Sequence, residues 1–182
     1  ADFALKNSLS GFEFLSCIPG SIGGGVTMNS GCYGYDISKI LKSVKFLDRD
    51  GEIKEIQSNE IKFFYRGTNL KSEFIIISVQ LKGNIKKQID IKKKQLEFIE
   101  KKKNSQPSQI KTCGSTFKNP IDKKAWKLIK ETGCHEMTVG KAKISEKHCN
   151  FFINEGGAKS SDIEDLINKV KRKVFDKTGI NL

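Results

Sequence analysis

The sequence predicts an α+β fold, and three observations carry that expectation. Alternating apolar residues in Val44–Leu47 and Ile53–Ile56 flank a turn at Asp50-Gly51, the pattern of a β-hairpin. Amphipathic stretches near Ile85–Lys103 and after Ser161 have the spacing of helices. Hairpins and helices fall in separate runs, without a regular βαβ alternation and without an internal repeat.

Along the chain, the first third is rich in glycine. Pro19-Gly20-Ser21-Ile22-Gly23-Gly24-Gly25 and Asn29-Ser30-Gly31-Cys32-Tyr33-Gly34 are expected to be loops and tight turns. The hairpin follows. Phe74–Val79, a continuous apolar and β-branched run, is expected to be a strand buried on both faces. The lysine-rich helix carries Ile85, Ile89, Leu96 and Ile99 as an apolar stripe and ends at Ser105-Gln106-Pro107-Ser108, because proline disfavours helix just before it. The domain boundary is expected here, giving segments 1–84, 85–108 and 109–182. Beyond it, Thr112–Asn119 reads as a glycine-containing loop and strand, and Asp122–Thr132 as a helix closed by Gly133. Lys141–Ser145 and Asn150–Asn154 read as strands. Ser161 and Glu164 form the expected capping box of a last helix, whose stripe is Ile163, Leu166, Ile167, Val170 and Val174 and whose stop is Gly179.

The 182 residues carry a net charge of +12, which raises the question of nucleic acid. All but three of the 33 basic residues are lysine; the arginines are Arg49, Arg66 and Arg172. Base and phosphate recognition favours the planar guanidinium fork, so a basic nucleic-acid-binding module is the weaker reading and a solvated helix face the stronger. The five cysteines are odd in number and widely spaced, with no ligand cluster for a metal. They fit a reducing cytoplasm, where a free thiol behaves as a small buried hydrophobe. No apolar run approaches the ~20 residues of a membrane span.

Four segments carry the candidate chemistry. The glycine-rich pair, Ile18 to Gly24 and Asn29 to Gly34, reads either as tight turns or as a phosphate or cofactor loop; it has neither Walker nor Rossmann spacing. Tyr65-Arg66 places a rare arginine beside aromatics, which suits bidentate binding of a carboxylate or simple stacking at the edge of a core. Cys113-Gly114-Ser115-Thr116-Phe117-Lys118-Asn119-Pro120 leaves room beside Ser115, with Lys118 and Asn119 as donors; a turn serine is the plainer reading. His148, before the apolar Phe151-Phe152-Ile153, has no second histidine at metal spacing and is more simply structural.

In this order and together, these segments resemble the UDP-N-acetylenolpyruvoylglucosamine reductases, from Gly11 to the last helix. The short interval between Arg66 and Ser115 is similar to the compact subtype. The resemblance implies an FAD-binding domain of the vanillyl-alcohol-oxidase/p-cresol-methylhydroxylase-like type over 1–84, a connecting helix, and a small α+β substrate-binding domain over 109–182. It implies that FAD, reduced by NADPH, delivers a hydride to UDP-N-acetylglucosamine enolpyruvate, forming UDP-N-acetylmuramate for peptidoglycan. By position, Ser115 is then the proton donor and Arg66 the carboxylate holder. Ile18, Pro19, Gly20, Ser21, Ile22, Gly23, Gly24, Asn29, Gly31, Tyr33 and Gly34 line the flavin, and Tyr65, Lys118, Asn119 and His148 contact substrate. The family also has a glycine-rich pyrophosphate loop and a late catalytic glutamate, which these residues do not supply. The expectation is therefore a sequence cut short at both ends, inactive alone and weak for FAD. Another FAD oxidoreductase of the same fold is the nearer alternative.

Overall fold

The computed structural model describes all residues from Ala1 to Leu182. They form two compact units, Ala1–Lys102 and Lys103–Leu182, each mixing helices and strands as expected for an α+β chain. No helix is long and apolar enough to cross a membrane.

The first unit holds helix α1 (Asp2–Lys6), strand β1 (Leu9–Ser10), helix α2 (Ile22–Thr27), and strands β2 (Gly31–Cys32), β3 (Tyr35–Asp36), β4 (Leu41–Leu47), β5 (Ile53–Gln57), β6 (Phe63–Phe64), β7 (Gly67–Thr68), β8 (Ile75–Leu81) and β9 (Asn84–Ile85). Helix α3 (Gln88–Ser105) follows. Its centre is an antiparallel sheet ordered β5-β4-β8, in which Val44 faces Ile56 on one side and Val79 on the other. The predicted hairpin is thus β4–β5. Its turn is fastened by Asp48, whose Oδ1 accepts from the backbone N–H groups of Asp50 and Glu52. Phe14, Val26, Ile37, Leu41, Val44 and Phe98 form the buried core.

Three expectations are corrected here. Strand β8 is not buried on both faces: it lies at the sheet edge, and Ile75 and Ile77 are exposed. An apolar run reports a strand, but the layers packed on it decide how many of its faces are covered: α2 lies against Ile76, while Ile75 and Ile77 stay exposed. The glycine-rich run is not all loop: Ile22–Thr27 is a short helix, capped by Ser21, whose Oγ accepts from the Gly24 N–H at 3.1 Å. Packing outweighs the low helix propensity of glycine, because a Cβ at Gly23 would lie only 3.3 Å from Cβ of Ile76 in β8. In α3 the stripe Ile89, Leu96 and Ile99 is exposed, and Ile85 sits exposed in β9. The face of α3 turned inward is Ile91, Gln95 and Phe98.

The second unit contains strand β10 (Lys111–Ser115), helix α4 (Ala125–Glu131), strands β11 (Thr138–Val139), β12 (Ala142–Ile144) and β13 (Phe151–Asn154), and helix α5 (Ser160–Thr178). Its antiparallel sheet runs β10-β13-β12-β11, and the short strand β11 had no clear signal in the sequence. Leu166, Val170 and Val174 of α5 are fully buried with Leu128 and Ile129 of α4 and Ala142, Ile144 and Phe152 of the sheet. The helical stripe predicted for α5 is therefore its core face. Its cap differs: Asp162, not Glu164, accepts from the Lys159 N–H, at 2.9 Å. Gly179 adopts the left-handed conformation that ends the helix. Cys17, Cys134 and Cys149 are buried, as small apolar residues are, whereas Cys113 is exposed.

Candidate functional site

In the first unit most of the glycine-rich residues are exposed. Pro19, Gly20, Ser21, Ile22, Tyr33 and Gly34 are all exposed, and Ile18 is half-buried. A side chain at Gly20 or Gly34 would meet nothing within 4 Å, so bare backbone faces open space at both. Backbone without side chains beside Ile22 and Tyr33 suits close approach of a flat conjugated ring. Gly23 and Gly24 lie within α2 rather than in a loop. Tyr33 stacks on Phe98, with ring centroids 5.7 Å apart and planes 5° from parallel.

Arg66 sits at the tip of the two-stranded hairpin β6–β7, where only Tyr65 and Arg66 join the strands. Its φ is +58°, a left-handed conformation that costs a non-glycine residue about 1–2 kcal/mol. Its guanidinium donates from Nη2 to the Gly31 carbonyl at 2.9 Å and lies 4.9 Å from the Tyr65 ring centre. One donor of the fork is thereby anchored.

Asn29, expected at the flavin, has its side chain turned inward. Its side chain is buried, 6% exposed, and both ends of the amide are committed. Nδ2 donates to the Phe64 carbonyl at 3.2 Å, and Oδ1 accepts from the Ser38 N–H at 3.1 Å. Lysines of α3 are also engaged within this unit: Lys94 donates to the Tyr35 hydroxyl at 3.0 Å and Lys102 to the Cys17 carbonyl at 2.7 Å. Burial, with Cys17 alongside, pushes the Cys32 thiol up to about 11, which leaves it protonated and unreactive at neutral pH.

In the second unit Ser115 is exposed at the end of β10, opposite Phe151, after a shift in register between Thr112 and Ser115. Gly114, with φ +86° and open space where a side chain would stand, makes that bulge. The following loop is clamped by Asn150, a buried residue without a functional signal in the sequence. Its Oδ1 accepts from the Phe117 N–H at 3.0 Å and its Nδ2 donates to the Phe117 carbonyl at 2.8 Å. Lys118 is exposed, and Asn119 is half-buried with its Oδ1 accepting from the Ala125 N–H at the start of α4.

His148 borders a cavity of about 830 Å³ within this unit. Trp126 and Lys130 of α4, His135, Lys143 and Lys147 share its lining. The indole is 37% exposed, its ring centre 6.4 Å from that of His148. Lys143 is paired with Glu155. Glu136 and Glu146 also line the cavity, so its charge is mixed, and the aromatic faces with Lys130 and Lys147 are the part of it that suits a planar, anionic ligand. Trp126 was open to notice as the only tryptophan, but its neighbours are distant in sequence. The His148 Nδ1 accepts from the Asn150 N–H at 3.2 Å, which leaves Nε2 as the donor of a neutral ring. Burial holds the His148 pKa below its usual 6.5.

A depressed histidine pKa means that the unfolded chain binds the extra proton first, so stability falls as the pH drops below the unfolded value. In a proton NMR titration, the His148 ring signal should reach its midpoint below 6.5. The His148→Gln variant should lose less stability in urea than the natural sequence as the pH falls through that window. A midpoint above 6.5 would contradict the buried, neutral ring.

Comparison with known proteins adds to this geometry. Residues 106–182 match the model of the family described as "UDP-N-acetylenolpyruvoylglucosamine reductase, C-terminal domain", and residues 2–57 match the one described as "FAD binding domain". The chain is 46% identical over its whole length to the UDP-N-acetylenolpyruvoylglucosamine reductase of Pelagibacter ubique (strain HTCC1062), covering 61% of that protein. It is also 46% identical to that of Wolbachia pipientis subsp. Culex pipiens (strain wPip), covering 62%. The chain thus spans about three fifths of the length of these relatives. The crystal structure of UDP-N-acetylenolpyruvylglucosamine reductase from Thermus caldophilus superposes with a TM-score of 0.86 at 33% identity, over 94% of this chain and 63% of the other.

Proposed function

We propose that the chain belongs to the UDP-N-acetylenolpyruvoylglucosamine reductase family, as its likeness to those proteins supports, and that it serves the FAD-mediated, NADPH-dependent reduction of UDP-N-acetylglucosamine enolpyruvate to UDP-N-acetylmuramate. The observation that carries the proposal is Arg66, held in a left-handed turn with one donor anchored on the Gly31 carbonyl and its guanidinium against the Tyr65 ring. Strain of this kind is held in place by the surrounding structure and clusters at ligand-binding sites.

FAD, when bound, takes electrons from NADPH and supplies the hydride. Half-buried Ile18 and the exposed Pro19 to Ile22, with Tyr33 and Gly34, would hold it, because bare backbone and apolar side chains accept a flat ring. Arg66 binds the substrate carboxylate through its remaining donors. As a hydride adds to one vinyl carbon, negative charge spreads from the other carbon into that carboxylate, and a fixed guanidinium stabilises it without reorganising. Ser115 gives a proton to the second carbon. Its exposed position after the Gly114 bulge suits approach to a substrate. A serine hydroxyl is a weak acid, so it needs a partner from which to recover its proton.

Lys118, Asn119 and Tyr65 contact the substrate in this reading. The Trp126–His148 cavity takes the nucleotide end, with the indole against the base and Lys130, Lys143 and Lys147 near the diphosphate. Peptidoglycan supply in the cytoplasm is the setting that agrees with the widely spaced thiols.

Two measurements test this. UDP alone should quench the fluorescence of Trp126 saturably; emission unchanged at high UDP would remove the cavity from the account. In the complete protein, Ser115→Ala should leave flavin reduction by NADPH intact while slowing reoxidation by the enolpyruvyl nucleotide by about 100-fold or more, the scale of general acid catalysis. Equal loss in both half-reactions would count against Ser115 as the proton donor.

A further inference from the structure

We infer that Asn29 is the positioning residue of the Arg66 turn: its buried amide sets where the guanidinium points, without touching a ligand itself. The catalytic consequence rests on the carboxylate role proposed above for Arg66; the positioning itself does not.

The hairpin that carries Arg66 has only two residues in each strand, Phe63–Phe64 and Gly67–Thr68. An isolated hairpin of that length does not hold its own shape in water. Three side-chain hydrogen bonds tie it to the glycine-rich segment. Asn29 Nδ2 donates to the carbonyl of Phe64, immediately before the turn, at 3.2 Å. Thr68 Oγ1 donates to the carbonyl of Thr27 at 3.2 Å. Arg66 Nη2 donates to the carbonyl of Gly31 at 2.9 Å.

These three are not equivalent. The Thr68 bond is exposed, where water competes for both partners. The Arg66 bond belongs to the side chain that must also serve a ligand. Only the Asn29 bond comes from a buried side chain, and the same amide is fixed at its other end by the Ser38 N–H at 3.1 Å. Ser38 in turn donates to Asp36, at the end of the hairpin whose first residue is Gly31. One asparagine therefore links the backbone before Arg66 to the element bearing the carbonyl on which Arg66 rests. Asn29 has φ +40°, a region that asparagine adopts more readily than most residues.

Asparagine is required by this geometry because the site needs a donor and an acceptor on one short side chain. Asn29→Asp keeps the size and the acceptor for Ser38 but turns a carboxylate oxygen toward the Phe64 carbonyl. Asn29→Gly tolerates the left-handed backbone and removes both bonds.

Arg49, Arg66 and Arg172 each contribute one guanidinium Nε–H signal to a nitrogen–proton NMR spectrum, and each is assigned by its loss in the corresponding Arg→Lys variant. In the complete protein carrying Asn29→Asp or Asn29→Gly, the Arg66 signal should shift or broaden while those of Arg49 and Arg172 stay in place. In the same variants the KM for the enolpyruvyl nucleotide should rise about tenfold or more, the scale of one lost alignment at a charged hydrogen bond. FAD affinity should not change. An unmoved Arg66 signal in both variants overturns the inference, as does equal movement of the Arg49 and Arg172 signals, which would mark a merely structural residue. Weakened FAD binding with unchanged KM would make Asn29 a flavin contact instead. If the natural protein does not turn over the enolpyruvyl nucleotide, the proposed function fails, and the NMR result still decides the role of Asn29.

Discussion

Gly31 is the constraint on which the first unit's site depends. A side-chain carbon there would stand 2.2 Å from the Tyr35 carbonyl oxygen and 2.6 Å from Cβ of Asp36, closer than atoms can approach, so the β2–β3 hairpin closes only around glycine. That closure presents Tyr33 and Gly34 at the tip and leaves the Gly31 carbonyl where Arg66 donates to it. The same few residues thus shape the proposed flavin surface and anchor the proposed carboxylate-binding side chain. A substitution at Gly31 would disturb both at once.

The second unit solves a similar problem with a buried polar clamp. Asn150 bonds both backbone groups of Phe117, and its own carbonyl accepts from the Thr116 N–H at 2.8 Å. Buried polar groups that are fully paired fix one conformation, since breaking any of the bonds leaves a desolvated partner. The loop from Ser115 to Asn119 is in this way held by β13, and Phe117 packs edge-on against Phe152 at 5.8 Å. Both units place their candidate side chains beside glycine or at loop ends and fasten those places with buried asparagines.

How much of this was legible in the sequence depended on whether the signal was local. The α5 stripe and its Gly179 stop were readable because helix spacing and a left-handed terminal glycine are decided within a few residues. The β4–β5 hairpin was readable for the same reason. The exposure of β8 was not, because it follows from which elements pack on the sheet, and no local pattern contains that. Nor was the inward face of α3: Ile89, Leu96 and Ile99 have helical spacing, but so do Ile91, Gln95 and Phe98, and only tertiary packing chooses between them. The glycine run at Ile22–Thr27 misled in the opposite direction, since its lack of side chains served close packing on β8 rather than a loop. The cavity around Trp126 and His148 stayed hidden because α4 and the loop after β12, which are apart in sequence, come together only in the fold. Asn29 was visible as a residue near the flavin motif, but its burial, and hence its work, was not.

The central claim is that these residues serve a flavin reductase acting on an enolpyruvyl sugar nucleotide. The most direct measurement is the visible absorption spectrum of the protein expressed from its complete reading frame and loaded with FAD. The account predicts a flavin spectrum that NADPH bleaches and the enolpyruvyl nucleotide restores under anaerobic conditions. A protein that cannot be loaded with FAD, or whose reduced flavin is indifferent to the enolpyruvyl nucleotide, would contradict it.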